Sequence, residues 1–263
     1  MYSPNINLSQ EKWLQINHLT LSMAKLDSVE EIRRVFMEQL NYIIPHKKSF
    51  FDLAYMLKGS VKFFDPLSLN MTQEQLNDYY EKYEDMDYCA WLLPTDEPVI
   101  YRDSNIITDS ARERTTIYKC WMKPMDIYYS MGSTLFENGI LYGSITLFRD
   151  KSEDFSDEEM SILQILTEHI TANLSCLYPK GIWKSVSYYC SDNIADKYNI
   201  SVRENEVIAL VFRGFSNKEI SDKLFISVNT VKKHMNNIFR KINVSSRAQL
   251  IQKMYLAKSL EEQ

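Results

Sequence analysis

The sequence predicts two folds in tandem: an α+β N-terminal domain, with an antiparallel sheet flanked by helices, and then an all-α domain of four short helices. Three observations carry this. Residues 126–136 and 140–149 are β-prone runs joined by Asn138-Gly139, a pair suited to the positive φ angles of a type I′ hairpin turn. From Ser201 onward, apolar residues recur at steps of three and four, and Ser-x-x-Glu occurs at Ser201/Glu204 and Ser216/Glu219, a pattern that caps helix starts. Charge divides the same way: from Lys197 to the end there are 12 Lys+Arg against 6 Asp+Glu, and elsewhere 18 against 29. Balances of +6 and −11 make up the overall −5, so an acidic chain carries one basic module.

At 263 residues the chain has room for two domains. Its 45% hydrophobic and 25% charged content is ordinary for globular protein. No apolar run reaches the roughly 18 residues of a membrane span, and the N-terminus MYSPNINLSQEKW has neither the basic region nor the apolar core of a secretory signal. Cys89, Cys120, Cys176 and Cys190 are scattered without Cys-x-x-Cys pairing, which fits a reducing cytoplasm, the expected location.

In chain order, residues 10–26 and 28–41 predict two amphipathic helices. Trp13, Ile16, Leu19, Met23 and Leu26 stripe the first; Ser28 and Glu31 cap the second, which Pro45 ends. Phe50–Leu57 and Val61–Phe64 predict a hairpin turning at Lys58-Gly59. Met71–Trp91 predicts a helix capped by Thr72, followed by a loop at Pro94 and Pro98 and a short strand at Val99-Ile100-Tyr101. Ser110–Met122 predicts another helix, before the Asn138-Gly139 hairpin. Phe155-Ser156-Asp157-Glu158-Glu159 then opens a long helix with Leu163, Leu166, Ile170, Leu174 and Leu177 at helical period. The expected boundaries are 1–178 for this domain, 179–198 for a linker, and 199–263 for the helical domain, although Trp183 and Tyr188-Tyr189 suggest that the linker docks on something.

In the helical domain Arg213-Gly214 closes the first helix, because Gly takes the left-handed conformation of a helix end. Ser227 caps a third helix whose Val231, Met235, Ile238 and Ile242 form one apolar stripe, and Ser245 or Ser246 opens a fourth. Turned from that stripe are Asn229, Thr230, Lys232, Lys233, Asn236, Asn237 and Arg240, with no carboxylate among them. A solvated face ordinarily mixes both signs, so this one predicts an anionic partner. Amide, ammonium and guanidinium groups are also those that read base edges in a major groove. Two helices joined by the short Phe225-Ile226 turn, the second bearing such a face, predict a helix-turn-helix.

Here the sequence resembles the four-helix DNA-binding domain of LuxR-type (NarL/GerE-type) transcription regulators. The matching residues are Ser201, Arg203-Glu204, Glu206-Val207, Gly214, Ser216 to Ile220, Leu224, Ile226-Ser227, Thr230-Val231-Lys232, His234, Ile238, Lys241 and Arg247. Upstream, Gly139–Leu174 resembles the closing part of a GAF domain, where a hairpin strand ends in Arg and a Phe-Ser-Asp-Glu-Glu cap leads into the last helix. YYEKYEDMDYCAW and VIYRDSNI resemble the ligand-binding half of GAF-like and autoinducer-binding domains, but Asp87-Tyr88 stands where the autoinducer pattern has Asp-Pro. The resemblance therefore does not imply an acyl-homoserine-lactone ligand.

The fold expectation becomes a GAF-like domain followed by a LuxR-type helix-turn-helix. Base-reading candidates are Lys232, Lys233 and Asn236, with Asn229 and Asn237 next; Ser227, Thr230, Asn217, Lys218, Arg240 and Lys241 are candidates for the DNA backbone. Glu204 and Glu219 are assigned to helix capping, and Val207, Leu210, Val211, Ile220, Leu224, Val231, Met235 and Ile238 to core. The resemblance implies that the fourth helix dimerises, with Leu250, Met254 and Tyr255 as candidates; packing within its own domain is the alternative.

Tyr79, Tyr83, Asp87 and Trp91 fall at four-residue steps on one predicted helix face. They are candidates for an effector site, with Tyr101, Arg102, Asp103, Trp121 and Tyr129 as weaker ones; the same stripe also fits plain core. His and Cys spacings match no metal site, no Gly-rich phosphate loop occurs, and no nucleophile–base arrangement can be argued. No cofactor, metal, enzymatic activity or membrane is expected. The expected partners are double-stranded DNA, a second copy of the chain, a small-molecule effector and the transcription machinery. Alternatives are a ligand-independent interaction module and a redox sensor at Cys89 or Cys120. A phosphorylated regulator is disfavoured because no acidic pair follows a first strand.

Overall fold

In the computed structural model, β1 (Lys48–Leu57), β2 (Ser60–Leu69), β3 (Ile100–Arg102), β4 (Tyr129–Glu137) and β5 (Ile140–Arg149) form one antiparallel sheet, ordered β2-β1-β5-β4-β3. The structure describes residues 8–57, 60–92, 97–182, 197–212, 215–251 and 253. They divide into two units, 1–182 and 183–263. The Lys58-Gly59 turn, Pro94, Arg213-Gly214, Met254, Tyr255 and most of the expected linker lie outside the described residues.

The hairpin joining β4 and β5 turns at Asn138 and Gly139 with φ of 52° and 77°, the two positive angles of the expected turn. Pro66 is tolerated because β2 is an edge strand. It follows Asp65 (φ 47°) at an irregularity opposite Asp52. There β1 comes so close to β5 that a Cβ on Gly143 would lie 2.1 Å from the Asp52 carbonyl oxygen.

Against one face of the sheet pack α2 (Val29–Ile43) and α5 (Asp157–Leu177), and α1 (Gln10–Met23) lies on these two helices. They bury Ile16, Leu19, Met23, Ile32, Phe36, Leu40, Leu163, Leu166, Ile170 and Leu174. Trp13, expected in the α1 stripe, is 46% exposed instead. The motif that ends β5 and opens α5 has a physical purpose. Arg149 reaches both Glu159 oxygens (3.1 and 2.5 Å) and the Pro45 carbonyl (2.8 and 2.7 Å), and covers the Phe155 ring at 4.3 Å. Glu159 in turn completes a capping box with Ser156.

The other face is covered by irregular segments, which corrects two expectations. Met71–Trp91 is not one helix: α3 (Gln73–Asp78) widens into a π turn at Tyr79–Tyr83, tightens to a 3-10 turn at Glu84–Met86, and breaks at an extended Asp87. The break is held by the Asp87 carboxylate, which accepts the Cys89 N–H (2.8 Å) and the Tyr79 hydroxyl (2.8 Å). Ser110–Met122 likewise divides into α4 (Asp109–Arg112) and a π turn at Tyr118–Met122. Thr115 separates them, its hydroxyl donating to the Arg112 carbonyl and accepting the Tyr118 N–H.

The second unit has α6 (Val202–Phe212), α7 (Asn217–Leu224) and α8 (Val228–Ile242), followed by a helical turn from Arg247. Ser201–Glu204 and Ser216–Glu219 form both bonds of the expected capping boxes. Ser246, rather than Ser245, caps the last helix by accepting the Gln249 N–H. Every residue expected in the core is buried, and so are Ile208, Ile242 and Leu250.

Candidate functional site

Helix α8 begins where Ser227 accepts the Thr230 N–H (3.0 Å) and ends at Asn243 in the left-handed conformation. Its buried face is Val231, Met235, Ile238 and Ile242. On the other side Asn229, Lys232, Lys233, Asn236 and Arg240 are exposed, and Thr230 and Asn237 are partly so. Asn237 accepts from Arg240 at 3.2 Å, and the Ser227 and Thr230 hydroxyls are 2.9 Å apart. Asn217 and Lys218 occupy the first turn of α7. Between the helices, Phe225 is left-handed (φ 53°), and the Ile226 N–H returns to the Ser221 carbonyl.

Two expected roles change. Lys241 does not join the exposed basic face: its ammonium lies 2.5 Å from buried Glu204 and 2.7 Å from the Asn199 carbonyl. It locks α8 to the cap of α6, so its reading as a DNA-backbone contact is replaced by a positioning role. Burial pushes the Glu204 carboxyl up, but Lys241 and Ser201 outweigh that and hold it below the ordinary range. Leu250, expected at a dimer interface, is fully buried in the core of its own unit because its helix packs back on α6 and α8.

Two residues that carry the LuxR-type resemblance, with no role assigned from sequence, are further anchors. Arg203 pairs with buried Glu206 (2.6 Å) and donates to the Leu224 carbonyl. Arg247 donates to the carbonyls of Val211 and Phe215. Each ties the end of one helix to its neighbour; their sequence signal was a cation placed next to a helix terminus.

In the first unit, cross-strand register builds a second candidate surface. Phe50, Thr146, Gly132 and Tyr101 form one row across β1, β5, β4 and β3; Asp52, Ser144 and Thr134 form the next. Cross-strand partners share a face. Tyr101 lies over Gly132, where a Cβ would come within 2.6 Å of its ring, and its hydroxyl reaches Thr146 (3.3 Å). Tyr79 packs on Phe50 (5.5 Å) and Trp121 (5.0 Å), and Trp121 on Phe148 (5.8 Å), while the Trp121 indole N–H donates to the Gln75 carbonyl.

Thus Tyr79, Asp87, Tyr101 and Trp121 are gathered against this face as candidates. Tyr83 is half-buried and Trp91 is 69% exposed, because the broken helix does not present one stripe. Asp52 and Tyr80 were not anticipated: the Tyr80 hydroxyl donates to the buried Asp52 carboxylate. A lone carboxylate inside the apolar run Phe50–Leu57 was the available signal.

Asp103 pairs with fully buried Arg112 at 2.9 Å and accepts from Tyr88. Burial pushes Asp103 up to about 6 despite Arg112. Burial, followed by the fields of Asp87 and Asp103, also drives the Cys89 thiol upward. A reactive thiolate needs the opposite surroundings, so Cys89 is withdrawn as a redox candidate; Cys120 is an exposed cysteine on the π turn. Among the described residues no His/Cys/Asp/Glu group is arranged to hold a metal, and no helix is long and apolar enough to cross a membrane.

A sheet domain with one helix-packed face, joined in one chain to a helix-turn-helix bearing a basic second helix, defines a class of sensor-linked regulators. The chain belongs to the GAF domain family through residues 39–174, and its residues 198–254 match the family described as bacterial regulatory proteins, luxR family. Oxygen regulatory protein NreC of Staphylococcus carnosus is 43% identical over 53 residues, covering 20% of this chain and 24% of that protein. NreC of Staphylococcus aureus (strain MRSA252) is 40% identical over 70 residues, covering 26% and 32%. The chain thus spans about a quarter to a third of these relatives. Among solved structures, Escherichia coli SdiA is 18% identical with a TM-score of 0.48, covering 92% of this chain and 95% of that one.

Proposed function

We propose that this luxR-family regulator binds double-stranded DNA sequence-specifically as a homodimer in the cytoplasm, under control of a small-molecule effector held by its GAF domain. Helix α8 enters the major groove, with Lys232, Lys233 and Asn236 on base edges and Asn229 and Asn237 beside them. Thr230, Ser227, Asn217, Lys218 and Arg240 contact the backbone. The working boundaries are 1–178 for the sensor, 179–198 for the linker and 199–263 for the DNA-binding domain. Bound as a dimer, the protein occupies two half-sites about one helical turn apart and acts there on the transcription machinery.

The observation that carries the reading is the exposed face of α8, which combines amides and cations with no carboxylate. The test is selection of operators from random duplexes by the full-length protein, followed by binding of Lys232→Ala, Asn236→Ala and Arg240→Ala variants. Loss of discrimination at individual base pairs with the first two, against an even loss of affinity with Arg240→Ala, supports the assignment. Failure to enrich any sequence sinks it.

A second reading, a GAF domain that takes no effector and serves only in association, draws support from Trp13, Leu14 and Leu21, all exposed on α1. Native mass spectrometry of the purified protein separates the two: extra mass lost on denaturation favours the effector, and a bare dimer favours association.

A further inference from the structure

The central strands of the sensor sheet place two unusual groups side by side. Asp52 on β1 and Ser144 on β5 are cross-strand partners on the face away from α1, α2 and α5. They are 3% and 0% exposed. Among the described residues the Ser144 hydroxyl has no hydrogen-bond partner, a costly state for a buried polar group unless something else supplies one. Asp52 receives the Tyr80 hydroxyl on one oxygen, and a carboxylate has further acceptor positions on the other.

Charge on this face is lopsided. Asp52, Asp87 and Asp103 all approach it, whereas Arg112 is claimed by Asp103 (2.9 Å) and lies against the Tyr128 and Tyr129 rings. Arg33, whose field reaches Asp52, lies over the Phe51 ring on the opposite face, since consecutive strand residues point opposite ways. It donates to the Phe51 carbonyl and to Asp65. The direct partner of the Asp52 carboxylate is therefore a neutral donor. On the same sheet face lie the rings of Phe50 and Phe148, packed with Tyr79 and Trp121 at centroid separations of 5.0–5.8 Å. Aromatic faces next to a carboxylate favour an organic cation.

We infer that the effector is a small organic cation, whose ammonium or guanidinium group is held by the Asp52 carboxylate and the Ser144 hydroxyl while its apolar body packs on the Phe50–Trp121 aromatic group. This rests on the reading of the GAF domain as an effector sensor. A neutral or anionic ligand would leave the Asp52 charge unanswered or oppose it. In the ligand-free protein, burial pushes Asp52 up to about 7; Tyr80 and Arg33 act against this, and Glu84 and Asp65 add to it. A bound cation stabilises the charged form, so binding releases a proton below that pH and strengthens as pH rises from 6 to 8.

The test uses full-length protein in calorimetric titrations and melting curves. The probes are tyramine and tryptamine, each with its matched alcohol (tyrosol, tryptophol) and acid (4-hydroxyphenylacetate, indole-3-acetate), together with agmatine and putrescine. The expected result is saturable binding of at least one amine, about tenfold or more tighter than its alcohol or acid. Asp52→Asn removes the preference while still melting cooperatively, and Ser144→Ala, a smaller change, weakens amine binding several-fold. An alcohol or acid bound as well as its amine, or amine binding unchanged in Asp52→Asn, overturns the cation assignment and leaves the effector reading standing. Binding of no probe also overturns it; the effector reading is then decided by whether native mass spectrometry finds any other bound mass.

Discussion

Lys241 shares α8 with Lys232 and Lys233, yet the three cations answer to different surroundings: two face outward, and one lies 2.5 Å from the Glu204 carboxylate, which is 3% exposed. Removing one partner of such a pair strands the other charge. Lys241→Ala is therefore expected to destabilise the helix-turn-helix by about 2–3 kcal/mol, read by thermal melting. Lys232→Ala should stay within roughly 0.5 kcal/mol of the parent. Equal melting temperatures for the two variants would return Lys241 to the surface class. The pair also sets a pH response: Glu204 is held below its ordinary value, so its contribution is present above the unfolded carboxyl pKa and disappears as pH falls through the depressed one. Asp52 behaves oppositely. Raised to about 7 by burial, it binds a proton more tightly folded than unfolded, so its cost to stability grows from about pH 4 to 7 and then levels off. Asp52→Asn should raise the melting temperature at pH 8, by an amount on the order of a few kcal/mol in stability, and change little at pH 4.

At the scale of elements, what the sequence disclosed was what neighbours along the chain decide. The caps at Ser156, Ser216 and Ser227 rest on bonds to a residue three positions away, and the Asn138-Gly139 turn rests on its own φ angles, so all four are legible in order of residues. The α8 stripe was legible because its burial follows helical period. The π turns were not. Tyr79 and Tyr80 are drawn to Phe50 and Asp52 on a strand some thirty positions earlier, and that tertiary demand overrides the simple Met71–Trp91 periodicity. Leu250 was misplaced for the same reason: apolar helical spacing tells that a face is buried, not against which partner. Half of the site was thus readable, the exposed half; the sensor face needed register between strands. Arg149 offers a test of the element that closes the GAF sheet. Its guanidinium joins β5, the end of α2 and the start of α5 through Glu159 and the Pro45 carbonyl. Lys cannot reproduce that fork, so Arg149→Lys should cost about 1.5–3 kcal/mol in denaturant unfolding. A loss indistinguishable from zero would mean the cap holds without it.

Across the whole molecule, a module of balance +6 is tethered to a remainder of −11. DNA affinity should therefore be strongly salt-dependent even though the protein is acidic. A dimer neutralising roughly 6–10 phosphates should lose about 10³–10⁵ in affinity between 50 and 200 mM salt. A flat dependence would exclude the ionic backbone contacts assigned to Lys218 and Arg240. The coupling between the two ends of the chain obeys a stricter rule. If an effector changes operator affinity by some factor, thermodynamic linkage requires that operator DNA change effector affinity by the same factor, typically about 5–150-fold. This needs no assumption about how the units are arranged. Operator titrations with and without saturating effector, and effector titrations with and without saturating operator, should return equal factors at one salt concentration and pH. The Asp52→Asn variant should bring both factors to unity together, since a ligand with no differential affinity shifts no equilibrium. Should operator affinity respond to the effector while effector affinity ignores the operator, the two titrations would not report one closed equilibrium cycle, and a change of assembly state between them would have to carry the difference.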